Sequence, residues 1–487
     1  MTSVQRRLER VPAGPRTSYR VTLAVLTLAA TSYALLQSLV LPTLPELQRS
    51  LHVSEATVSW ILTAYLLSAS IATPILGRLG DMFGKERLLV IALAVLAVGT
   101  LMSAVAGTLA LMLAGRVVQG TAGGIFPLAF GIIRDEFPRE RVAGAIGLMS
   151  SLLGVGAGAG VILAGPIVDN LSIHYLFWLP LIPILVATVL THLLVPESPV
   201  KVPGSVNWVG AALLSAGLVL LLVGVSETSS WGWLSPRTIA SVGLGVVVLV
   251  AWVWNELRST HPLVDMQMMR IRGVWTTNLV AFLLGFGMYS SFILLPEVVE
   301  TPKRIGYGFG SSVTGAGLFL IPSTLAMLLT GSQTGRLEKR FGSKPLLLGG
   351  TILTAGSFAI LAFARSEPWE IYLASALLGA GIGLAFASMA NLIIENVGPA
   401  QTGIATGMNT VTRTVGGAFG GAATASIVAA TVGSSGYATA GGYTSAFALC
   451  VGALVAGVLV GLFIPQRRPE AAFEPHPTGD VVPESAG

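Results

Sequence analysis

Charge is what this chain has least of: Asp, Glu, Lys and Arg make only 10% of its residues, against roughly 25% in a water-soluble domain. Cysteine is nearly missing too. The single one, Cys450, sits in an apolar run, which excludes an internal disulfide and reads as a small packing residue. There is no Cys/His cluster for a metal, no GxxxxGK[ST] loop for a phosphate and no nucleophile elbow. An enzyme is therefore not expected, and neither is a metal or any other cofactor. ATP-driven transport would need an attached nucleotide-binding domain, for which this length leaves no room. The slight excess of 28 Lys and Arg over 23 Asp and Glu is not a nucleic-acid footprint, because no basic stripe with interleaved aromatics occurs.

What is present is apolar surface, at 53% of residues, gathered in runs of about twenty, the length that crosses ~30 Å of hydrocarbon. The expected spans are 21–41, 57–76, 88–108, 110–133, 142–165, 175–195, 206–225, 238–255, 274–296, 312–334, 345–364, 371–395, 401–428 and 442–464. With the N-terminus placed in the cytoplasm, 21 of the 28 basic residues fall in inner segments, five (Arg49, Arg237, Lys303, Arg304, Arg365) in outer ones, and Arg116 and Arg413 inside spans. That asymmetry is the positive-inside signature, so both termini are expected to be cytoplasmic. Residues 1–20 are basic and precede a full-length apolar run without a small-residue cleavage site, as an uncleaved first span does. Residues 466–487 are polar and Pro-rich and are expected to form a disordered tail. The bias to Arg over Lys suggests a GC-rich bacterial genome, hence a multi-pass protein of a bacterial plasma (inner) membrane.

The chain repeats itself. Residues 77–84 read GRLGDMFG and 335–342 read GRLEKRFG, while Gly120 and Gly379, Gly124 and Gly383, Glu136 and Glu395, and Gly144 and Gly403 also pair at nearly the same offset. The expected fold is an all-α polytopic membrane protein. Two six-helix bundles (21–200 and 259–465) form a pseudo-twofold parallel repeat, with an extra helix pair (201–258) between them. Substrate in such folds binds near the midplane where the halves meet.

Four segments carry a family resemblance. In GRLGDMFGKER, Gly77, Asp81, Gly84, Lys85 and Arg87 stand at the positions of a cytoplasmic turn motif; Met82 replaces its usual basic residue. LMLAGRVVQGTAGG at 111–124 supplies Arg116, Gln119, Gly120 and Gly124 in a fourth-span pattern. GVGAGAGVILAGPIVD at 154–169 gives Gly156, Gly160, Gly165 and Pro166, with Val161 where the motif has proline. GIATGMNTVTRTVGGAFG at 403–420 gives Arg413, Gly416, Gly417 and Gly420. Together they resemble the major facilitator superfamily, most closely its fourteen-span drug–proton antiporters of the multidrug efflux, antibiotic-resistance type. The resemblance implies that Asp81 faces the helix beginning at Gly398-Pro399 and latches the outward-facing state. It implies too that Arg116 tunes a proton-titrating group and that Arg413 is a second coupling or cavity charge. The glycines suit close helix packing.

The chain departs from that branch where many of its members carry a first-span Asp, for Tyr33 stands there. No acid lies mid-span, so the candidate proton carriers are the end-of-helix acids Asp135, Glu136, Asp169, Glu297 and Glu395. Polar or aromatic residues inside spans are the candidate cavity lining: Tyr33, Gln37, Tyr65, Phe126, Asn278, Phe282, Tyr289, Asn391 and Asn409. With no central carboxylate, neutral, zwitterionic or amphipathic substrates are favoured over multivalent cations.

The expected activity is export of small hydrophobic or amphipathic compounds by alternating access, driven by the proton gradient. The partners are the substrate, protons and the lipid bilayer, with no nucleic acid, and the protein is expected to be a monomer. A metabolite importer or uniporter of the same superfamily, or a non-transporting sensor or scaffold, remains open at this point. The topology is directly testable with Cys450 replaced by serine. A cysteine at Glu227 should react with an impermeant maleimide on intact cells, and one at Arg270 only after the membrane is opened; the reverse pattern would invert the orientation.

Overall fold

A chain in lipid must satisfy its own backbone hydrogen bonds, and a helix does so within one segment. The computed structural model describes residues 18–465 except 41–42, 54, 59, 199–200, 202–204, 399–400 and 434–435. The terminal segments 1–17 and 466–487, Pro42 and Pro399 lie outside the described residues, as do the side chains of Val161 and Asp169. The long helices are α1 (Tyr19–Leu39), α2 (Trp60–Phe83), α3 (Lys85–Ala104), α4 (Leu109–Glu136), α5 (Arg139–Asn170), α6 (Tyr175–Leu194) and α7 (Trp208–Ser226). They continue as α8 (Pro236–Arg258), α9 (Arg272–Glu300), α10 (Ile321–Phe341), α11 (Ser343–Phe363), α12 (Pro368–Asn396), α13 (Thr402–Ala429) and α14 (Ala440–Leu462). Hydroxyls of Ser18, Thr108, Ser235 and Thr439 and the Asn207 amide oxygen accept N–H groups at helix starts.

Twelve helices among the described residues are long and apolar enough to cross a membrane. The expected count of fourteen spans is not reached on that measure. The two outside it are α5, with its glycine run and charged start, and α13, rich in glycine, threonine and polar residues. One expected span is also interrupted: α4 breaks at Thr121–Gly124 into Leu109–Gly120 and Ile125–Glu136. Consecutive glycines hold a helix poorly, and here they also let backbones meet. A Cβ on Gly123 would lie 2.8 Å from the Ala69 carbonyl of α2, and one on Gly120 would press on Tyr65 and Ser68.

The apolar residues form one cluster drawn mainly from Val25 to Val195 and a second from Val280 to Ile464. A third joins α7 and α8 to Val274 of α9 and to Ile393 and Ile404, which flank the α12–α13 turn. The two halves touch through crossings that the repeat relates to one another. Gly77 of α2 meets α13, where an added Cβ would lie 2.7 Å from the Gly403 carbonyl oxygen. Gly335 of α10 meets α5, where an added Cβ would lie 2.6 Å from the Gly144 nitrogen. Gly77 and Gly335, and Gly144 and Gly403, are the same repeat pairs that the sequence aligns. The turn that follows each motif is built alike, with φ of +115° at Gly84 and +81° at Gly342, a backbone region that favours glycine.

Both crossings lie at the end of the bundle that holds Asp81. Gly77→Leu should therefore force that end apart, since overpacking a close crossing costs about 1–3 kcal/mol. In a Cys450→Ser background, a cysteine replacing buried Ala405 should then be alkylated roughly tenfold faster. An unchanged rate would show that the crossing does not close this end.

Candidate functional site

At the Asp81 end, three charges are packed out of water. Lys85 and Asp81 are each 1% exposed. Lys85 Nζ lies 2.7 Å from Asp135 Oδ2 and 3.5 Å from Asp81 Oδ1, so one ammonium serves two carboxylates. Asp81 also faces the first turn of α13, beside Gly403 and the Ile404 amide, where the helix dipole favours negative charge. The described part of that helix starts at Thr402, just beyond the expected Gly398-Pro399. The neighbouring Arg134 donates to the Val397 carbonyl at 2.8 Å and the Gly398 carbonyl at 3.3 Å, at the end of α12, and to the Thr402 hydroxyl. A cation on a helix C-terminus and an anion on a helix N-terminus thus clamp the two halves together.

The rest of the turn motif faces outward. Arg87 is 3.6 Å from Glu197 Oε2 at an exposed site, a position worth at most about 1 kcal/mol. Glu197 also accepts the Glu86 N–H at 3.3 Å. A Cβ at Gly84 would strike its carboxylate, so glycine there is needed for space as well as for φ.

Arg116 is wholly buried in the first half. Its Nε donates to the Ile61 carbonyl at 3.2 Å, its terminal nitrogen to Gln119 Oε1 at 2.7 Å, and its guanidinium sits 4.3 Å from the centre of the Tyr65 ring. Gln119 in turn donates to Thr100 and Ser103, each at 3.3 Å.

In front of Tyr65 opens a cavity of about 380 Å³ between the halves, within the range of small-molecule sites. It occupies the bundle away from the Asp81 clamp and reaches Leu62, Ser226, Thr228 and Ala425 near the opposite helix ends. Of the residues singled out in the sequence, Tyr33, Gln37, Tyr65, Phe126, Tyr289 and Arg413 line it. Tyr33 packs its ring 6.2 Å from that of Tyr65 and 6.1 Å from that of Phe126. Arg413 lies over Phe386, 4.4 Å from the ring centre.

The other candidates lie elsewhere. Asn409 donates to Asn278 at 2.9 Å, joining α13 to α9 and bordering only a minor recess. Asn391 donates to Glu338 at 2.6 Å, and Phe282 packs 6.0 Å from Phe419. Polar side chains inside a bundle satisfy one another as readily as they face a cavity.

The glycines mark crossings. Gly156 and Gly160 of α5 lie against Ala34 and Ser38 of α1, and the Ser38 hydroxyl donates to the Gly156 carbonyl at 2.8 Å. Gly165, next to Pro166, faces Thr314. Gly416 and Gly420 take the backbone of α9 at Phe282 and Phe286, and Gly417 takes the Tyr289 ring. Gly124 packs on Leu76. Of the end-of-helix acids, Asp135 is taken by Lys85 and Ser198, Glu395 accepts from Ser343 at 3.1 Å, and Glu297 is exposed. Glu136 also has partners at its helix end.

Sequence reasoning missed the roles of Arg134 and Glu338 and the part that the inserted pair takes in the cavity. Leu222 and Ser226 of α7, with Thr228 just beyond it, form part of the cavity wall. The Trp233 indole N–H donates to Ser426 of α13 at 2.8 Å, pinning that wall in place.

The model of the Major Facilitator Superfamily matches residues 26–421 and, in an overlapping match, 277–483. The chain belongs to the Major Facilitator Superfamily. It is thus a membrane transporter of small molecules and not an enzyme. The tetracenomycin C resistance and export protein of Streptomyces glaucescens is 27% identical over 374 residues, 75% of this chain and 67% of that protein. A multidrug resistance protein B homolog of Mycobacterium tuberculosis is 28% identical over 367 residues, 74% of this chain and 66% of that protein. The chain spans about two thirds of the length of these curated relatives. Among solved structures, the human organic anion transporter MFSD10 superposes with a TM-score of 0.66 at 18% identity, covering 92% of this chain and 100% of that one. The proton:xylose symporter XylE gives 0.64 at 15%, covering 92% and 96%. These two share the fold.

Removing one partner from a buried ion pair costs about 3–5 kcal/mol, because the other charge is left unpaired. Lys85→Ala should therefore lower the thermal unfolding midpoint of the detergent-solubilised transporter. Adding Asp135→Ala should recover part of the loss by removing a stranded carboxylate. A double variant whose loss equals the sum of the Lys85→Ala and Asp135→Ala losses would mean that the two groups are not coupled.

Proposed function

We propose that this superfamily member is a secondary active exporter of small hydrophobic or amphipathic compounds, driven by proton antiport. The observation that carries the reading is the pairing of a closed, ion-clamped end with an apolar, aromatic cavity that reaches the other end. The basic residues gather at the clamped end, so it is assigned to the cytoplasm, and the conformation is outward-facing. In this reading α5 and α13 cross the membrane as well. They are 32 and 28 residues long and are packed within the bundle, and they bring the spans to the fourteen of the drug–proton antiporter branch. The relatives named for tetracenomycin C export and multidrug resistance support a drug-like cargo.

Alternating access then follows from the crossings. Substrate leaves from the cavity toward the outside, and the halves rock about the midplane. The Asp81–Lys85–Asp135 cluster and the Arg134 bonds to α12 and α13 part as the cytoplasmic side opens. Such a clamp sets the balance between the two states without touching cargo. Among the described residues no carboxylate lines the cavity, and this favours a uniporter as the second reading.

Inverted membrane vesicles with an imposed proton gradient separate the two. Addition of a substrate should dissipate the gradient, and Asp81→Asn should slow that response by roughly tenfold or more, the effect of about 1.4 kcal/mol on the balance of states. A radiolabelled compound that equilibrates while the gradient stays intact would replace antiport with uniport.

A further inference from the structure

We propose that the cavity is selective for anions, taking planar aromatic compounds that carry an ionised acidic group, with Arg413 pairing that group. The proposal rests on the reading of this cavity as the transport site and gives its cargo a charge class.

The charge census of the wall is one-sided. Among the described lining residues Arg413 is the one formal charge, and no Asp or Glu faces it. The described ion pairs of the chain do not include Arg413. Its guanidinium rests on the face of Phe386, and among the described residues no hydrogen bond takes up its N–H donors. Arg116 is the instructive contrast. It gives Nε to Ile61 and one terminal nitrogen to Gln119, keeps the other terminal nitrogen buried without a hydrogen-bond partner, and lies behind Tyr65, outside the lining. It nevertheless adds a second positive charge close to the cavity, and no ion pair among the described residues includes it. One cation in a low-dielectric wall, a second behind it and no anion among the described lining residues make a site that attracts negative charge and repels positive charge. A guanidinium matches a carboxylate or similar oxyanion through paired N–H donors.

The shape of the wall selects the rest of the ligand. Tyr33, Tyr65 and Phe126 come from the first half and Tyr289, Phe292 and Phe386 from the second, so aromatic faces flank the space from both sides. Flat rings stack on such faces. Gln37 and Thr414 lie beside the Tyr289 hydroxyl and offer polar contacts next to the Arg413 helix turn. An aromatic anion would therefore lie between the halves with its acidic group toward α13.

Three anthracene derivatives of one ring system and different charge test this: the carboxylate, the neutral methanol and the methylammonium. Equilibrium binding to the purified transporter in neutral-charge detergent at neutral pH is read from anthracene fluorescence. The carboxylate should bind tightest, about tenfold or more above the methylammonium. Arg413→Gln should bring the three within about twofold of one another while keeping the affinity for the methanol, and Arg413→Lys should retain the ranking. The proposal is overturned if the methylammonium or the methanol binds as tightly as the carboxylate in the wild type. It is overturned equally if Arg413→Gln keeps the anion preference. The wild-type ranking tests the charge claim by itself should Arg413→Gln fail to fold. No gradient is present in this measurement, so an absence of pumping in vesicles would remove the export reading and leave the anion preference standing.

Discussion

Lys85 is a cation held almost wholly out of water between two carboxylates that come from different helices. Burying such charges is unfavourable unless each is paired, and removing any one leaves the others stranded. That constraint fixes α2, α3 and α4 at their shared end and sets Asp81 against the start of α13. Arg134, one residue before Asp135, then bonds to the end of α12. The first half thus grips the second at the two sides of a single turn, between Asn396 and Thr402. Glycine crossings bring the backbones close enough for that grip, and the same relation recurs where Gly335 of α10 meets Gly144 of α5. A closed end built from charge and backbone contact separates into solvated groups, whereas a closed end built from apolar packing would expose grease.

The other end is organised differently. The cavity wall is aromatic and hydroxylic, and among the described lining residues Arg413 is the one charge and no carboxylate stands opposite it. The inserted pair is part of this asymmetry. Helix α7 lies against both α2 and α13, places Leu222 and Ser226 in the wall, and is tied near that end by Trp233 to Ser426. At the clamped end Glu256 accepts from Asn207 at 3.3 Å and from the Val264 amide at 3.2 Å, tying the pair there as well. Helix α8 leaves Leu244, Val247, Val250 and Trp254 exposed on its far side, a face suited to lipid. The insertion is therefore a fixed flank of the cavity on one side of the bundle.

Much of this was legible in the sequence because bilayer thickness dictates run length and the repeat dictates symmetry. The offset pairs Gly77 with Gly335 and Gly144 with Gly403, and the fold sets Gly77 against Gly403 and Gly335 against Gly144. The turn motif located Asp81 and Lys85, and Arg116 could be read as needing a partner, which Gln119 supplies three residues on. The cavity lining was harder. Tyr33, Tyr65 and Phe126 face it, whereas Asn278, Asn391 and Asn409 hydrogen-bond within the bundle. In helices buried on most sides, periodicity does not say which polar residue faces a void and which faces another helix. Helix count was blurred for a related reason: α5 and α13, which make the inter-half crossings, carry the glycines and polar groups that lower hydropathy. Glu338 escaped notice because its repeat partner is Gly80, and only the fold brings it to Asn391.

The central claim is that one clamp of buried charge holds the Asp81 end shut while the cavity reaches the opposite end. Spin labels on paired exposed sites test it by pulsed electron resonance, with Arg141 and Lys339 at the clamped end and Ser50 and Ala430 at the other. The account predicts short distances at the first pair and long ones at the second, with Asp81→Asn shifting both populations in opposite directions. Distances at the two ends that stay fixed in the variant, or that lengthen together, would contradict it.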